Sequence, residues 1–151
     1  YIGRNGGAQE VSLSEGCWYL GTIVMINLII KRINLVELFQ VHELMHAVGF
    51  YHEQNRSDRD QYLIIHYDHI QEGLEAQFKN LSQNENRLLV PFDFNSIMLY
   101  GSYSFTKDGQ MTMEPNPEEP SARGVVMREV NEKYGLSSID VEAIQQLYKC
   151  G

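Results

Sequence analysis

The sequence has no apolar run that could cross a bilayer. Its longest such stretch, residues 25–30, ends at Lys31 and Arg32, whereas a transmembrane helix needs about 20 consecutive apolar residues. We therefore expect no membrane span in this chain. The first seven residues also lack the basic and apolar regions of a signal peptide. Because the chain opens without Met, we expect a processed product or a fragment.

Positive charge is scarce as well. The chain has 12 Lys and Arg against 20 Asp and Glu, which gives a net charge of −8 and a pI near 5.0. This balance argues against nucleic acid and against an anionic membrane as partners. The length of 151 residues and an apolar fraction of 43% are ordinary for one soluble globular domain.

Cysteine is limited to Cys17 and Cys150, near opposite ends of the chain. Counting alone leaves a single disulfide and two free thiols equally open. Asn55 and Asn80 each begin an Asn-x-Ser triplet, which would fit an exported protein. Such triplets arise often by chance, so they add little to this interpretation.

Hydrophobic patterning predicts a chain with mixed strands and helices. Residues 9–13 alternate as in a half-buried strand, and residues 62–65 form a short extended segment. A helix is expected from Asp68, and another from near Ser137 with Asp140 completing its cap. The turn-like segment 91–103 and the proline-rich segment 114–120 are expected to be irregular. The predicted inner faces are Ile70, Leu74, Phe78 and Leu81 for the first helix and Val141, Ile144 and Tyr148 for the second.

One short stretch carries chemistry. His42 and His46 are four residues apart, so on a helix both imidazoles face the same ion, and Glu43 can reach a metal-bound water without binding the metal. That pair alone could still be two surface histidines. Gly49 can turn the chain where the helix must end, and His52 then supplies a third nitrogen. No cysteine lies nearby to close the site, so an open, catalytic zinc site is indicated rather than a structural one.

A methionine follows this motif in a tight aromatic turn. Most methionines fill cores, but this long zinc motif is typically followed by a turn with a methionine below the metal. Met98 therefore marks the expected Met-turn. His66 and His69 have no ligand spacing to the other histidines, and we interpret them as surface or cap residues.

Residues 42–60, HELMHAVGFYHEQNRSDRD, resemble the zinc-binding signature of the astacin family of metzincin peptidases. Glu53 and the stretch Arg56-Ser57-Asp58-Arg59-Asp60 match the residues that follow the third histidine in that family. Nearly the whole chain shares the resemblance, apart from residues 25–41. The other matching segments are residues 6–13, 16–17, 62–78, 95–100, 136–140 and 147–150.

The resemblance implies an α+β metzincin-type domain with a twisted sheet, an active-site helix and few regular elements in its C-terminal half. It implies that His42, His46 and His52 hold one catalytic Zn²⁺ and that Glu43 is the general base. Tyr100 matches a family tyrosine that can bind zinc in the resting enzyme and swing away to stabilise the transition state. A buried aromatic residue in the turn is the alternative for Tyr100.

The chain departs from the family in three places. Residues 25–41 form an atypical insertion before the zinc helix, which could extend that helix, loop out or disturb the cleft floor. The chain begins late relative to the family, so Cys17 and Cys150 are expected to lack their disulfide partners. Glu53, which meets the mature N-terminus in the family, is expected to lack that partner as well. Leu99 stands where the family's Met-turn commonly has His, and a local packing change is expected.

Residues 1–151 are therefore predicted to be an N-terminally truncated, astacin-like peptidase domain that is secreted. The predicted function is a zinc endopeptidase that hydrolyses peptide bonds of protein or peptide substrates with a metal-activated water. Two alternatives stay open at this point. The chain could be a catalytically impaired zinc-binding fragment, or a secreted binding module that uses its cleft for recognition only.

Overall fold

A 14-residue helix carries the first half of the histidine motif. The structure, a computed structural model, describes residues 35–148, and its first element is helix α1, Leu35–Val48. The predicted strand near Val11, both cysteines and residues 25–34 of the insertion lie outside the described residues. Residues 35–41 of the insertion belong to α1, and Leu38 is buried against the core. This part of the segment therefore extends the zinc helix, and through Leu38 it also packs against the hydrophobic core.

Helix α1 ends as the sequence predicts. Gly49 has φ +114°, a left-handed conformation that is open to glycine. The amide of Phe50 donates to the carbonyl of Met45, and that of Gly49 donates to the carbonyl of His46. This pair of bonds is a Schellman cap, which satisfies carbonyls that the helix itself leaves open. The cap turns the chain sharply toward His52.

The remainder of the fold has short elements. Strands β1, Leu63–Ile65, and β2, Met113–Pro115, pair in antiparallel register with Leu63 opposite Pro115. The closing helix is α2, Ser138–Tyr148. The α+β class and the scarcity of regular elements in the C-terminal half are thus confirmed. Single turns of 3₁₀-helix connect these elements at Glu53–Asn55, Arg59–Gln61, Tyr67–His69, Glu75–Phe78, Pro120–Ala122 and Val130–Glu132.

Two details of the predicted secondary structure are wrong. The helix expected from Asp68 is instead a pair of 3₁₀ turns, because Ile70 forms an isolated bridge with Thr106 and Gly73 has φ +85°. The segment 114–120 is not wholly irregular, since β2 runs to Pro115. A proline at a strand end removes no ladder hydrogen bond that the strand needs.

Helix α2 begins at the predicted cap but presents a different face. Ser137 and Asp140 cap it reciprocally, each side chain accepting from the other's amide at 2.9 Å. Asp140 and Ala143 are buried, whereas Val141 and Tyr148 are 40% and 50% exposed. The predicted inner face therefore holds only for Ile144, which packs on the core. The buried polar group, Asp140, sets the rotation of the helix.

The buried apolar side chains of the described residues form two hydrophobic clusters. One lies beneath α1 and joins Leu38 and Met45 to Ile97, Met98 and Val130. The other fills the C-terminal half around Leu63, Ile70, Phe78, Leu99 and Met113. Leu99 is completely buried there. No helix within residues 35–148 is long and apolar enough to cross a membrane.

Candidate metal centre

His42 and His46 project from one face of α1, and each has one ring nitrogen fixed by a backbone carbonyl. The Nδ1 of His42 lies 2.8 Å from the carbonyl oxygen of Ile97, and the Nδ1 of His46 lies 2.8 Å from that of Phe50. A neutral imidazole that donates from Nδ1 carries its lone pair on Nε2. Both rings therefore offer Nε2 as the ligand atom.

His52 completes the group from the far side of the Gly49 turn. Its Nε2 lies 3.1 Å from the Nε2 of His42 and 3.1 Å from that of His46. A tetrahedral zinc ion with bonds of about 2.0–2.1 Å to nitrogen separates its ligand atoms by roughly 3.3 Å. Within residues 35–148, these three histidines are the group of metal-ligating side chains that can hold one ion. The donor set and its spacing fit zinc with one position left open.

Burial keeps two of these ligands neutral. Loss of hydration is the main cause that lowers the pKa of His42 to about 4 and that of His52 to about 3, and the neighbouring His46 contributes to both shifts. The hydrogen bond to Ile97 partly opposes this shift at His42. At neutral pH the two imidazoles are therefore unprotonated, as a metal ligand must be.

Tyr100 and Glu43 lie beside the three histidines. The ring centroids of Tyr100 and His52 are 4.5 Å apart. Burial and, to a smaller extent, the negative charge of Glu43 raise the pKa of Tyr100 to about 12, while a hydrogen bond with the Gln54 side chain opposes this shift. The Tyr100 phenol is thus protonated at neutral pH and electrostatically coupled to Glu43. Their catalytic roles stay predictions.

The turn formed by residues 96–99, the Met-turn, lies directly beneath the site. Met98 is 2% exposed and packs in the cluster that contains Met45 of α1. Its carbonyl accepts a hydrogen bond of 3.0 Å from the amide of Glu53, next to His52. The carbonyl of Ile97 accepts from His42. The expected position of Met98 under the histidines is what the structure shows.

Two supports of this turn escaped the sequence reasoning. Asp140 was expected only as a helix cap, but its carboxylate also accepts from the Ser96 hydroxyl at 2.6 Å and the Ile97 amide at 3.0 Å. The ammonium group of Lys133 donates to the carbonyls of Ser96 and Leu99. A single lysine forms no recognisable sequence motif. The capping role of Asp140 gives no sign in the sequence that the same carboxylate also binds partners more than 40 residues away. Only the tertiary structure reveals these contacts.

The charged residues after His52 form a structural lattice. Arg56 bridges Glu53 and Asp58 with ion pairs of 2.9 Å each. Arg59 is 3% exposed and donates to the carbonyls of Gln54 and Phe78. These contacts hold the loop that follows the third histidine against the C-terminal core.

A cavity of about 410 Å³ lies behind the third histidine. Its wall includes His52, Glu53, Met98, Asp140 and Tyr148, together with residues from the 81–93 loop. His42, His46, Glu43 and Tyr100 do not line it. Of the three histidines, His52 is thus the one that the cavity wall shares with the metal-ligating group.

His66 and His69 lie apart from the metal centre, as expected. The Nε2 of His66 is 3.0 Å from a carboxylate oxygen of Glu114, and the Nδ1 of His69 is 2.7 Å from one of Asp108. His66 thus ties the 66–69 turn to strand β2, and His69 ties it to the loop that contains Asp108. Neither lies in the metal-ligating group.

Comparison with known proteins agrees with this geometry. Residues 35–149 match the model of the peptidase family described as Astacin. Astacin-like metalloprotease toxin 1 from Loxosceles intermedia is 42% identical over 145 residues, which cover 96% of this chain and 47% of the relative. Zinc metalloproteinase nas-4 from Caenorhabditis elegans is 37% identical over 150 residues, covering 99% of this chain and 40% of the relative.

A solved structure shares the fold as well. High choriolytic enzyme 1, a hatching enzyme zinc-protease from Oryzias latipes, superimposes with a TM-score of 0.62 at 37% identity. The match covers 73% of this chain and 51% of that structure. The chain thus spans less than half the length of the two curated relatives it matches.

Proposed function

The chain belongs to the astacin family of zinc peptidases, and we propose that the protein is an endopeptidase that hydrolyses peptide bonds in proteins. The observation that carries this proposal is the convergence of three Nε2 atoms, with that of His52 3.1 Å from each of its partners. A zinc ion held there supplies Lewis acidity toward a carbonyl oxygen and lowers the pKa of water to about 7.

Glu43 is the group we assign to proton transfer. It follows His42 on α1, is half-buried, and exerts its negative charge on the Tyr100 phenol. A carboxylate in this position accepts a proton from the attacking water and then delivers it to the leaving amine. The side chain does not contribute to the metal-ligating group, so its removal separates proton transfer from metal binding.

Tyr100 is the group we assign to the developing negative charge. Its pKa, raised to about 12, keeps the phenol protonated, so it can donate a hydrogen bond. A donor aimed at an oxygen that becomes anionic stabilises the transition state more than the ground state. The ring centroids of Tyr100 and His52 are 4.5 Å apart, and this proximity supports the assignment.

The proposal is tested by Glu43→Gln in the full chain. Zinc content should stay at one ion per chain, whereas cleavage of a casein-type substrate should fall by about 10² to 10⁴-fold. Glu142→Gln, at an exposed carboxylate on α2, is the matched control and should cleave at the parent rate. Equal rates for Glu43→Gln and its parent would remove Glu43 from the mechanism. A parent protein that binds zinc but cleaves nothing would instead support the impaired-fragment or binding-module alternatives.

We also propose that the protein acts outside the cell. Support comes from relatives whose names describe a toxin and a hatching enzyme. Expression of the full-length protein in a secreting host should deliver it to the culture medium. Recovery of the folded protein from the cytosol alone would contradict this assignment.

A further inference from the structure

Lys133 is a buried cation that neither the zinc ligands nor the proposed proton transfer accounts for. It is 9% exposed, and it follows directly on the 3₁₀ helix Val130–Glu132. Its ammonium group donates to the carbonyl oxygens of Ser96 and Leu99. A buried ammonium is costly unless its hydrogen bonds are satisfied, so its placement beneath the Met-turn calls for a structural reason.

The four carbonyls of the Met-turn point to two different places. Those of Ser96 and Leu99 accept from Lys133, and that of Ser96 also accepts from the Leu99 amide. Those of Ile97 and Met98 accept from His42 and from the amide of Glu53, on the side of the metal centre. Neighbouring peptide planes are joined only through the φ and ψ dihedrals of the residue between them, so fixing the outer carbonyls narrows the directions open to the inner ones.

The segment that carries Lys133 is itself held firmly. Val130 packs in the cluster that contains Ile97 and Met98. Glu129 accepts from the Ser104 hydroxyl at 2.6 Å, and its own amide donates to the Glu132 carboxylate at 3.1 Å. The ammonium group is therefore presented to the turn from a braced segment rather than from a free loop.

We propose that Lys133 is a positioning residue for the metal centre: by holding the Ser96 and Leu99 carbonyls, it aims the Ile97 carbonyl at Nδ1 of His42 and so orients the first ligand. This inference rests on the histidine group as a metal site and not on the peptidase activity. Partners that orient a metal-ligating histidine typically change metal affinity by about 10 to 100-fold when they are lost. His46 takes its carbonyl from Phe50, so it should not depend on Lys133.

The test uses Lys133→Met in the full chain, with ¹⁵N-labelled histidine. The chain has five histidines, and single His→Gln variants assign their resonances. In the zinc-free protein, the Nδ1–H signal of His42 should shift or vanish on substitution, while that of His46 stays in place. Zinc affinity, measured by competition with a chromophoric chelator, should fall by about 10 to 100-fold. Lys107→Met, at an exposed lysine, is the control and should change neither signal.

Lys133→Gln is the second variant. The glutamine amide can still donate to one carbonyl, so this substitution should destabilise the fold less than Lys133→Met. It should weaken zinc binding less than Lys133→Met while moving the same His42 signal. A folded variant with parental His42 signal and parental zinc affinity would overturn the proposal. Equal shifts at His42 and His46, or failure of both variants to fold, would also overturn it, since Lys133 would then support the domain as a whole. A parent that binds zinc but cleaves no peptide would leave this result intact while removing the proposed function.

Discussion

The two ligands on α1 are held by very different parts of the chain. His46 donates to Phe50, four residues away, across the Schellman turn that ends the same helix. His42 donates to Ile97, 55 residues away, on a turn that Asp140 and Lys133 support from further along the chain. One half of the metal centre is therefore encoded locally, and the other half exists only when the C-terminal half has folded against α1.

This difference has a thermodynamic consequence. A local turn can form as soon as the helix ends, but the contact to Ile97 requires a long loop to be closed first. Zinc binding should accordingly be coupled to the folding of the 93–140 region, and not only to helix α1. The predictions below test the local and remote supports separately.

The largest effect is expected from removing a ligand. His42→Ala and His46→Ala should each abolish stoichiometric zinc binding, because two imidazoles leave an incomplete site. Metal analysis after dialysis measures this directly. His66→Ala, at a histidine outside the group, is the control and should keep one zinc per chain. If either variant still bound one zinc per chain, the substituted histidine would not be a ligand and the three-histidine site would be wrong.

A smaller but substantial effect is expected at Leu38. This residue lies within the atypical segment 25–41, yet it is 4% exposed and packs with Met45 and Ile97. Leu38→Ala should lower the free energy of unfolding by about 2–5 kcal/mol. Phe39→Ala, at the exposed neighbour (47% exposed), should cost clearly less. A melting temperature that is unchanged in Leu38→Ala would mean that the segment is not an integral part of the zinc helix.

Asp140→Asn tests the remote support of the Met-turn together with the cap of α2, because the same carboxylate accepts from Ser96, Ile97 and Ser137. The substitution replaces one carboxylate oxygen with an NH₂ group, which cannot accept a hydrogen bond. Each buried donor that thereby loses its acceptor costs about 1–3 kcal/mol. Chemical denaturation should show this loss, and zinc affinity should fall by about 10 to 100-fold because the Ile97 turn is loosened. Glu142→Gln, on the exposed face of the same helix, should stay within about 0.5 kcal/mol of the parent. A stable Asp140→Asn protein with parental zinc affinity would show that the Met-turn needs no remote support.

The division between local and remote also explains what the sequence could predict. The group of three histidines follows from the spacing of His42 and His46 on one helix and from the Gly49 turn that brings His52 back, whereas the role of Glu43 stays a prediction. The start of α2 follows from its cap. The single helix expected from Asp68 failed because Gly73 and the bridge from Ile70 to Thr106 override its apolar pattern. Tertiary context commonly overrides such local patterns.

The supports of the Met-turn could not be predicted for a related reason. Lys133 is one lysine among ordinary loop residues, and its two carbonyl partners lie 34 and 37 residues away. Every residue has a backbone carbonyl, so the sequence does not reveal which carbonyls accept a hydrogen bond from a given lysine. Asp140 was recognisable as a cap because that contact spans three residues, whereas its bonds to Ser96 and Ile97 do not.

The most direct test of the metal centre is X-ray absorption at the zinc edge on the purified full chain. Three imidazole nitrogens and one oxygen ligand should give a single nitrogen and oxygen shell at about 2.0–2.1 Å, with the multiple scattering of histidine rings. His42→Ala should reduce both the zinc content and the ring scattering. A sulfur shell at about 2.3 Å would mean that a cysteine holds the ion, and it would contradict the three-histidine site from which the proposed function follows.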